Sequence, residues 1–236
     1  MWSGPPAKLA AAVLVAGAGP AAAGEAEAAE RDRMVARQIA ARGVTDPRVL
    51  EALRQVERHL FVPEPLRAEA HADRALPLAH GQTISQPYVV GLMTELAALR
   101  PTDRVLEVGT GSGYQAAVLS VLVREVYTIE IVEPLALEAR ERLRRLGHAN
   151  VFVRAGDGYR GWPEKAPFDA ILVTAAPPEI PAPLLEQLAP GGRLVAPVGR
   201  ERQELVVVTK GERGLTRRAV IPVVFVPMTG EAQERR

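Results

Sequence analysis

At 236 residues the chain has room for one domain with a core of its own, and 47% hydrophobic residues mark it as globular. Its 29 Lys and Arg against 28 Asp and Glu leave no basic footprint for nucleic acid and no polyanionic tail. Cysteine is absent, which removes disulfides, thiolate metal sites and a cysteine nucleophile. The four histidines (His59, His71, His80, His148) form no HExxH or other recognisable ligand spacing, so the sequence predicts no metal.

Lys8 is followed by LAAAVLVAGAGPAAAG, sixteen residues without charge, and then by EAEAAERDR. A positive residue, a short apolar run and a small-residue stretch match a secretory signal peptide. The run is too short and too rich in Ala and Gly for a membrane span. The competing reading is a start at Met34, preceded by an extension without function. On either reading residues 1–30 are a signal-peptide-like or disordered extension outside the fold, and 31–236 form a single domain.

MVARQIAARG predicts a helix stopped by Gly43. DPRVLEALRQV starts another, with Asp46 as N-cap, Pro47 at the first helical position, and an apolar face of Val49, Leu50, Leu53 and Val56. The proline-broken FVPEPLRAEAHADRALPLAH reads as a wrapped loop with short helical pieces. PYVVGLMTELAAL is an amphipathic helix whose apolar positions are Val89, Leu92, Met93 and Leu96.

After Pro101 the pattern changes. RVLEV (104–108), EVYTIE (125–130), VFVRA (151–155), FDAILVT (168–174) and GRLVAPV (192–198) read as strands. Helical stretches at YQAAVLSVLV, 134–147 and PAPLLEQLAPGG fall between them. The alternation argues an α/β fold, a doubly wound and mostly parallel sheet with helices on both faces. ELVVVTK and RRAVIPVVFV around the GERG turn add an antiparallel hairpin at the C-terminal end. The N-terminal helical segment stands before this core.

The unit at 104–120, strand then GTGSG then helix, is a nucleotide-site signal. Gly109, Gly111 and Gly113 permit a sharp turn and close approach, and amides at the helix start are expected to face the ligand. Tyr114 occupies the sixth position, where a dinucleotide loop would want Gly or Ala, so a nucleoside-type ligand fits better. Glu130 ends the second strand 21 residues after Gly109, placed to accept from ribose hydroxyls, or else a solvated strand-end carboxylate. Asp157 in the GDG at 156–158 is placed to accept from an adenine amino group while Gly158 leaves room for the ring. The alternative there is a plain Asp-Gly turn. All three features lie at carboxyl ends of parallel strands, where such sheets bind ligands.

EVGTGSGYQ, the acidic end of the second strand, GDG and PFDAILVTAAPPEIP resemble the class I S-adenosylmethionine-dependent methyltransferases. MVARQIAARGVTDPRVLEAL, RHLFVP, ALPL with GQTISQP, and the terminal VVFVPM narrow the resemblance to bacterial protein-L-isoaspartate O-methyltransferases, over residues 34 to about 230. GQTISQP is the most specific piece. Ala79 stands where that family usually has Gly, and His71 where an aromatic residue is common.

The resemblance implies a Rossmann-like fold and methyl transfer from S-adenosylmethionine to the α-carboxyl of L-isoaspartyl residues in damaged proteins. The ester then returns through a succinimide toward aspartate. It implies Glu107, Gly109, Thr110, Gly111, Ser112, Gly113, Glu130, Asp157 and Gly158 on the cofactor, within a cofactor-binding core at 101–236. Ser85 is implied as the active-site residue, with Gln82 and Thr83 shaping the acceptor loop, on a substrate-side segment at 31–100. Val226 and Pro227 in VVFVPM are either substrate contacts or part of a plain edge strand. Read from its sequence position, Ser85 is also an N-cap or the residue before it, for the helix at Pro87. Two competing functions stand beside this one: a methyltransferase for another acceptor, and a non-enzymatic protein that recognises damaged chains. The expected partners are isoaspartyl proteins, without nucleic acid or stable membrane association, and the chain is expected to be a monomer. The family implies a cytoplasmic protein, whereas a working signal in residues 1–24 would export it.

Overall fold

The computed structural model describes Met1 and residues 20–234, so most of the signal-like segment lies outside the described residues. Helix α1 (Pro20–Met34) runs on through a π-helical stretch, Val35–Ile39, and a 3-10 turn, Ala40–Arg42. It stops at Gly43, left-handed at φ 95°. Residues 20–30 are part of this same helix, and Glu27 reaches His59 and His71. The Ala- and Glu-rich EAEAAERDR stretch has good helix formers and no breaker after Gly24. Helix α2 (Pro47–Gln55) begins as its sequence predicts, Asp46 accepting from the Arg48 amide at 2.8 Å.

Helix α3 (Pro87–Leu96) packs its expected apolar positions on the core but centres its burial slightly to one side of them. Val90, Gly91, Met93 and Thr94 are buried, whereas Val89, Leu92 and Leu96 are half-buried. Gly91 explains the rotation: a Cβ there would stand 2.8 Å from Ile39 Cγ2 and 3.2 Å from Leu53 Cδ1. The bare glycine thus lets the first two helical segments press against α3.

A two-stranded ribbon, β1 (Leu76–Pro77) with β2 (Thr83–Ile84), precedes the main sheet. That sheet holds β3 (Arg104–Val108), β4 (Glu125–Glu130), β5 (Val151–Ala155), β6 (Phe168–Val173), β7 (Leu188–Val198), β8 (Gln203–Gly211) and β9 (Gly214–Val223). Their order is 5-4-3-6-7-8-9. The first five are parallel, and β7, β8 and β9 are joined antiparallel. Helices α4 (Tyr114–Ser120), α5 (Glu133–Arg145) and α6 (Ala182–Glu186) fill the crossovers. One apolar core packs the N-terminal helices, α3 and α4 on one face of the sheet, and a second includes Leu184 of α6 on the other. The fold is therefore α/β, doubly wound and Rossmann-like, with the expected hairpin at one edge.

The VVFVPM stretch does not continue the edge strand, which ends at Val223. Past the start of β8, the Gln203 side chain takes over the pairing, donating to the Phe225 carbonyl (3.1 Å) and accepting from its amide (2.6 Å). The chain then crosses back to the end of β6. There the Ala176 amide donates to Val226 O and the Met228 amide to Ala176 O, both at 2.8 Å. Helix α7 (Glu231–Glu234) follows. Among the described residues no helix is long and apolar enough to cross a membrane.

Candidate active site

The sheet order turns at β3, whose neighbours are β4 and β6, and a crevice opens there beyond the strand ends. It forms a cleft of about 790 Å³. From the acceptor side it is lined by Gln82, Thr83 and Ser85, and from the terminal crossing by Val226 and Pro227. The core contributes Glu107, Gly109, Thr110, Gly111, Ser112, Glu130, Asp157 and Gly158. Gly113 stands apart from this group. Its left-handed backbone (φ 87°) faces α5, where a Cβ would lie 3.2 Å from Leu143 Cδ1, so its role is helix packing.

Gly109 (φ 104°) and Gly111 (φ 53°) take left-handed turns, and a Cβ on Gly109 would stand 2.4 Å from Thr174 Oγ1. Most amides of the loop itself are used within the protein. Gly109 and Thr110 donate to Ile129 O, Gly113 donates to Thr110 O, and Gly111 donates to Glu130 Oε2 at 2.8 Å. The loop folds around the end of β4, because its amides find acceptors there. Glu130 Oε1 also accepts from the Val132 amide at 3.0 Å, so both carboxylate oxygens are fixed by main chain. Asp157 is held likewise, accepting from Tyr159 N and Glu231 N at 2.8 Å each. The missing Cβ of Gly158 makes space for protein, since an added Cβ would meet Val108 Cγ1 at 2.3 Å.

Below the glycine loop lies a buried chain of hydrogen bonds. Thr110 Oγ1 and Thr128 Oγ1 are 2.6 Å apart, and Thr128 donates to Glu107 Oε2 at 2.5 Å. Glu107 is fully buried and its Oε1 has no partner within the protein. Burial pushes its carboxyl up to about 8, with the nearby Glu130 charge adding to the rise and the Thr128 hydrogen bond opposing it. At neutral pH this group is therefore largely a neutral acid at the cleft wall.

On the acceptor side, Ile84 is buried and anchors the loop as a packing residue. His80 (φ 57°) and Gly81 (φ 68°) make the left-handed turn before it, while Ala79 avoids left-handed backbone and so tolerates its Cβ. Gln86 is the N-cap of α3 and makes no side-chain capping bond, so Ser85 is the residue before the cap and does not itself cap the helix. Beyond Ser85 a second groove, about 1180 Å³, runs between Tyr88 of α3 on one side and the exposed Val224 and half-buried Phe225 on the other. Cleft and groove share Thr83 and Ser85.

A family model described as protein-L-isoaspartate(D-aspartate) O-methyltransferase matches residues 29–233. The chain belongs to this family. A protein-L-isoaspartate O-methyltransferase of Synechococcus sp. is 55% identical over 207 residues, 84% of this chain and 85% of its own. One from Opitutus terrae is 53% identical over 225 residues, covering 94% and 97%. Among solved structures, a protein-L-isoaspartate O-methyltransferase superposes with a TM-score of 0.78 at 30% identity, over 86% of this chain and 67% of that one. A Plasmodium falciparum relative, solved with S-adenosyl-L-homocysteine, gives 0.74 at 25% identity over 84% and 98%. The chain is accordingly a repair methyltransferase of isoaspartyl residues.

Two residues of this isoaspartate methyltransferase escaped the sequence reading. Arg58 is fully buried, donating to Ala70 O at 2.7 Å and Ser85 O at 2.8 Å, and its guanidinium lies 4.8 Å from the Tyr114 ring centre. The signal was a lone arginine opening the apolar LFV of RHLFVP, where a cation needs carbonyl partners. Thr174, at the end of β6, donates to Gly109 O at 2.6 Å and braces the glycine loop from across the switch point. Its position after an apolar strand was the available signal.

Proposed function

We propose that S-adenosylmethionine binds in the cleft, that the isoaspartyl peptide lies in the adjoining groove, and that methyl transfer occurs where the two meet. The observation that carries this reading is the sharing of Thr83 and Ser85 by both spaces. The residues present suit that donor. Glu107 offers a buried, unpartnered oxygen, Glu130 a fixed carboxylate at a strand end, and the glycine loop closely approachable main chain. When bound, S-adenosylmethionine supplies an electrophilic methyl group on a sulfonium.

Glu130, already oriented by the Gly111 and Val132 amides, accepts from the ribose hydroxyls with its remaining lone pairs. Asp157 orients the adenine end, and Gly109 to Ser112 form the floor. The acceptor, a carboxylate with a reference pKa of about 3.9, is ionised at neutral pH and needs no general base. The Ser85 hydroxyl donates to one acceptor oxygen and leaves the other free to attack. Gln82 and Thr83 hold the loop, and Val226 and Pro227 close the cleft on the opposite side. A single hydroxyl positions the carboxylate without neutralising it, which preserves its nucleophilicity once water is excluded.

On this reading residues 31–100 supply the acceptor side and 101–236 the donor side. A cytoplasmic location suits a donor made in the cytosol, and N-terminal sequencing of the native protein tests it. The site assignment is tested by a structure with S-adenosylhomocysteine and an isoaspartyl peptide. The ribose is expected at Glu130 and the acceptor carboxylate at Ser85. A peptide seated away from the groove contradicts the assignment.

A further inference from the structure

Glu27 of α1, His59 of the 3-10 turn Arg58–Phe61 and His71 of the following loop converge behind the acceptor loop. Glu27 Oε2 lies 3.6 Å from Nδ1 of His59 and 3.6 Å from Nδ1 of His71, and one ligand atom from each residue falls within 4.8 Å of the others. Those separations exceed a hydrogen bond. The two 3.6 Å separations from Glu27 match the ligand–ligand edge of a small tetrahedral ion, about 3.3–3.6 Å for metal–ligand bonds of about 2.0–2.2 Å. The side chains of His59 and His71 are 15% and 10% exposed, and His59 Nδ1 is buried with no hydrogen-bond partner. A buried polar nitrogen facing a carboxylate without a bond calls for a third group between them.

Two cations stand near, Arg31 and Arg58, and each is engaged with main chain: Arg31 with Arg54 O, Arg58 with Ala70 O and Ser85 O. Ca²⁺ and Mg²⁺ want oxygen ligands, which the two imidazoles do not supply. Two imidazoles and one carboxylate suit zinc, with water completing the tetrahedron.

We propose that Glu27, His59 and His71 form a zinc-type site that clamps α1 onto the segment supporting the acceptor loop. His59 follows Arg58 in the chain, and His71 follows Ala70, whose carbonyl accepts from Arg58. The ion therefore stiffens both ends of the Arg58–Ala70 bond, and the same guanidinium donates to Ser85 O. Spacings of 32 and 12 residues match no short motif, so the sequence alone did not suggest the site.

The experiment uses untagged full-length protein stripped with a chelator, titrated with Zn²⁺ by calorimetry and with Co²⁺ by visible absorption. One ion per chain is expected, with the strong absorption of tetrahedral Co²⁺ and a Tm raised by Zn²⁺ and lowered again by chelator. Glu27→Gln and His71→Phe each weaken binding about a hundredfold or more. No saturable binding by the unaltered chain overturns the proposal, and so does unchanged affinity in both variants.

Discussion

The guanidinium of Arg58 donates to the main-chain carbonyl of Ser85 across 2.8 Å. The same side chain lies over Tyr114, the first residue of the helix that follows the glycine loop. One buried cation therefore touches the acceptor loop and the donor-side helix together. Burial lowers its pKa to about 10, so it stays charged at neutral pH.

Arg58→Met keeps the apolar stem and leaves the Ala70 and Ser85 carbonyls without their donor. Urea unfolding is expected to show a loss of about 2–4 kcal/mol. Turnover should drop about tenfold or more from displacement of the Ser85 loop, with cofactor affinity held. Unchanged turnover in a folded Arg58→Met would remove the positioning role.

Ser85→Ala deletes the hydroxyl where cleft and groove meet. We expect kcat to fall about a hundredfold, the order of loss when a reactant is no longer held in position. Equilibrium binding of S-adenosylhomocysteine should be unaffected. Lost cofactor binding would instead mark Ser85 as a structural part of the loop.

Glu130→Gln keeps the shape and replaces one carboxylate oxygen by an NH₂ facing an amide N–H. Both the Gly111 and Val132 amides currently donate to that carboxylate. Cofactor Kd, measured by calorimetry, should rise about 10- to 100-fold, from lost charge-assisted hydrogen bonds of about 1.5–3 kcal/mol. An unaltered Kd would place the ribose elsewhere.

Much of this was legible in the sequence because local rules and tertiary packing agreed. Asp46 and Pro47 start their helix where their chemistry dictates, and the β3–glycine loop–α4 unit forms as its pattern requires. Legibility ended where long-range contacts decide. The amides of Gly109 and Gly111 turned to β4, which periodicity cannot show. The VVFVPM crossing depends on Gln203 substituting for a strand. Arg58 lies 27 residues from Ser85, and only the fold brings them together.

Glu107 predicts a pH dependence. Its ordinary pKa of 4.5 is raised to about 8 in the fold, so between those values the native state keeps a proton that the unfolded chain has lost. Stability consequently falls as pH rises through that window, by an amount on the order of a few kcal/mol. Glu107→Gln, neutral at every pH, should flatten the decline in Tm from pH 4.5 to about 8. Parallel Tm curves for the two proteins would contradict a protonated Glu107.

The most direct measurement follows labelled methyl transfer from S-adenosylmethionine to two peptides that differ in one linkage, isoaspartyl against aspartyl. A base-labile methyl ester is expected on the isoaspartyl peptide alone, strongly reduced by Ser85→Ala. Equal labelling of both peptides, or none of either with the cofactor bound, would contradict it.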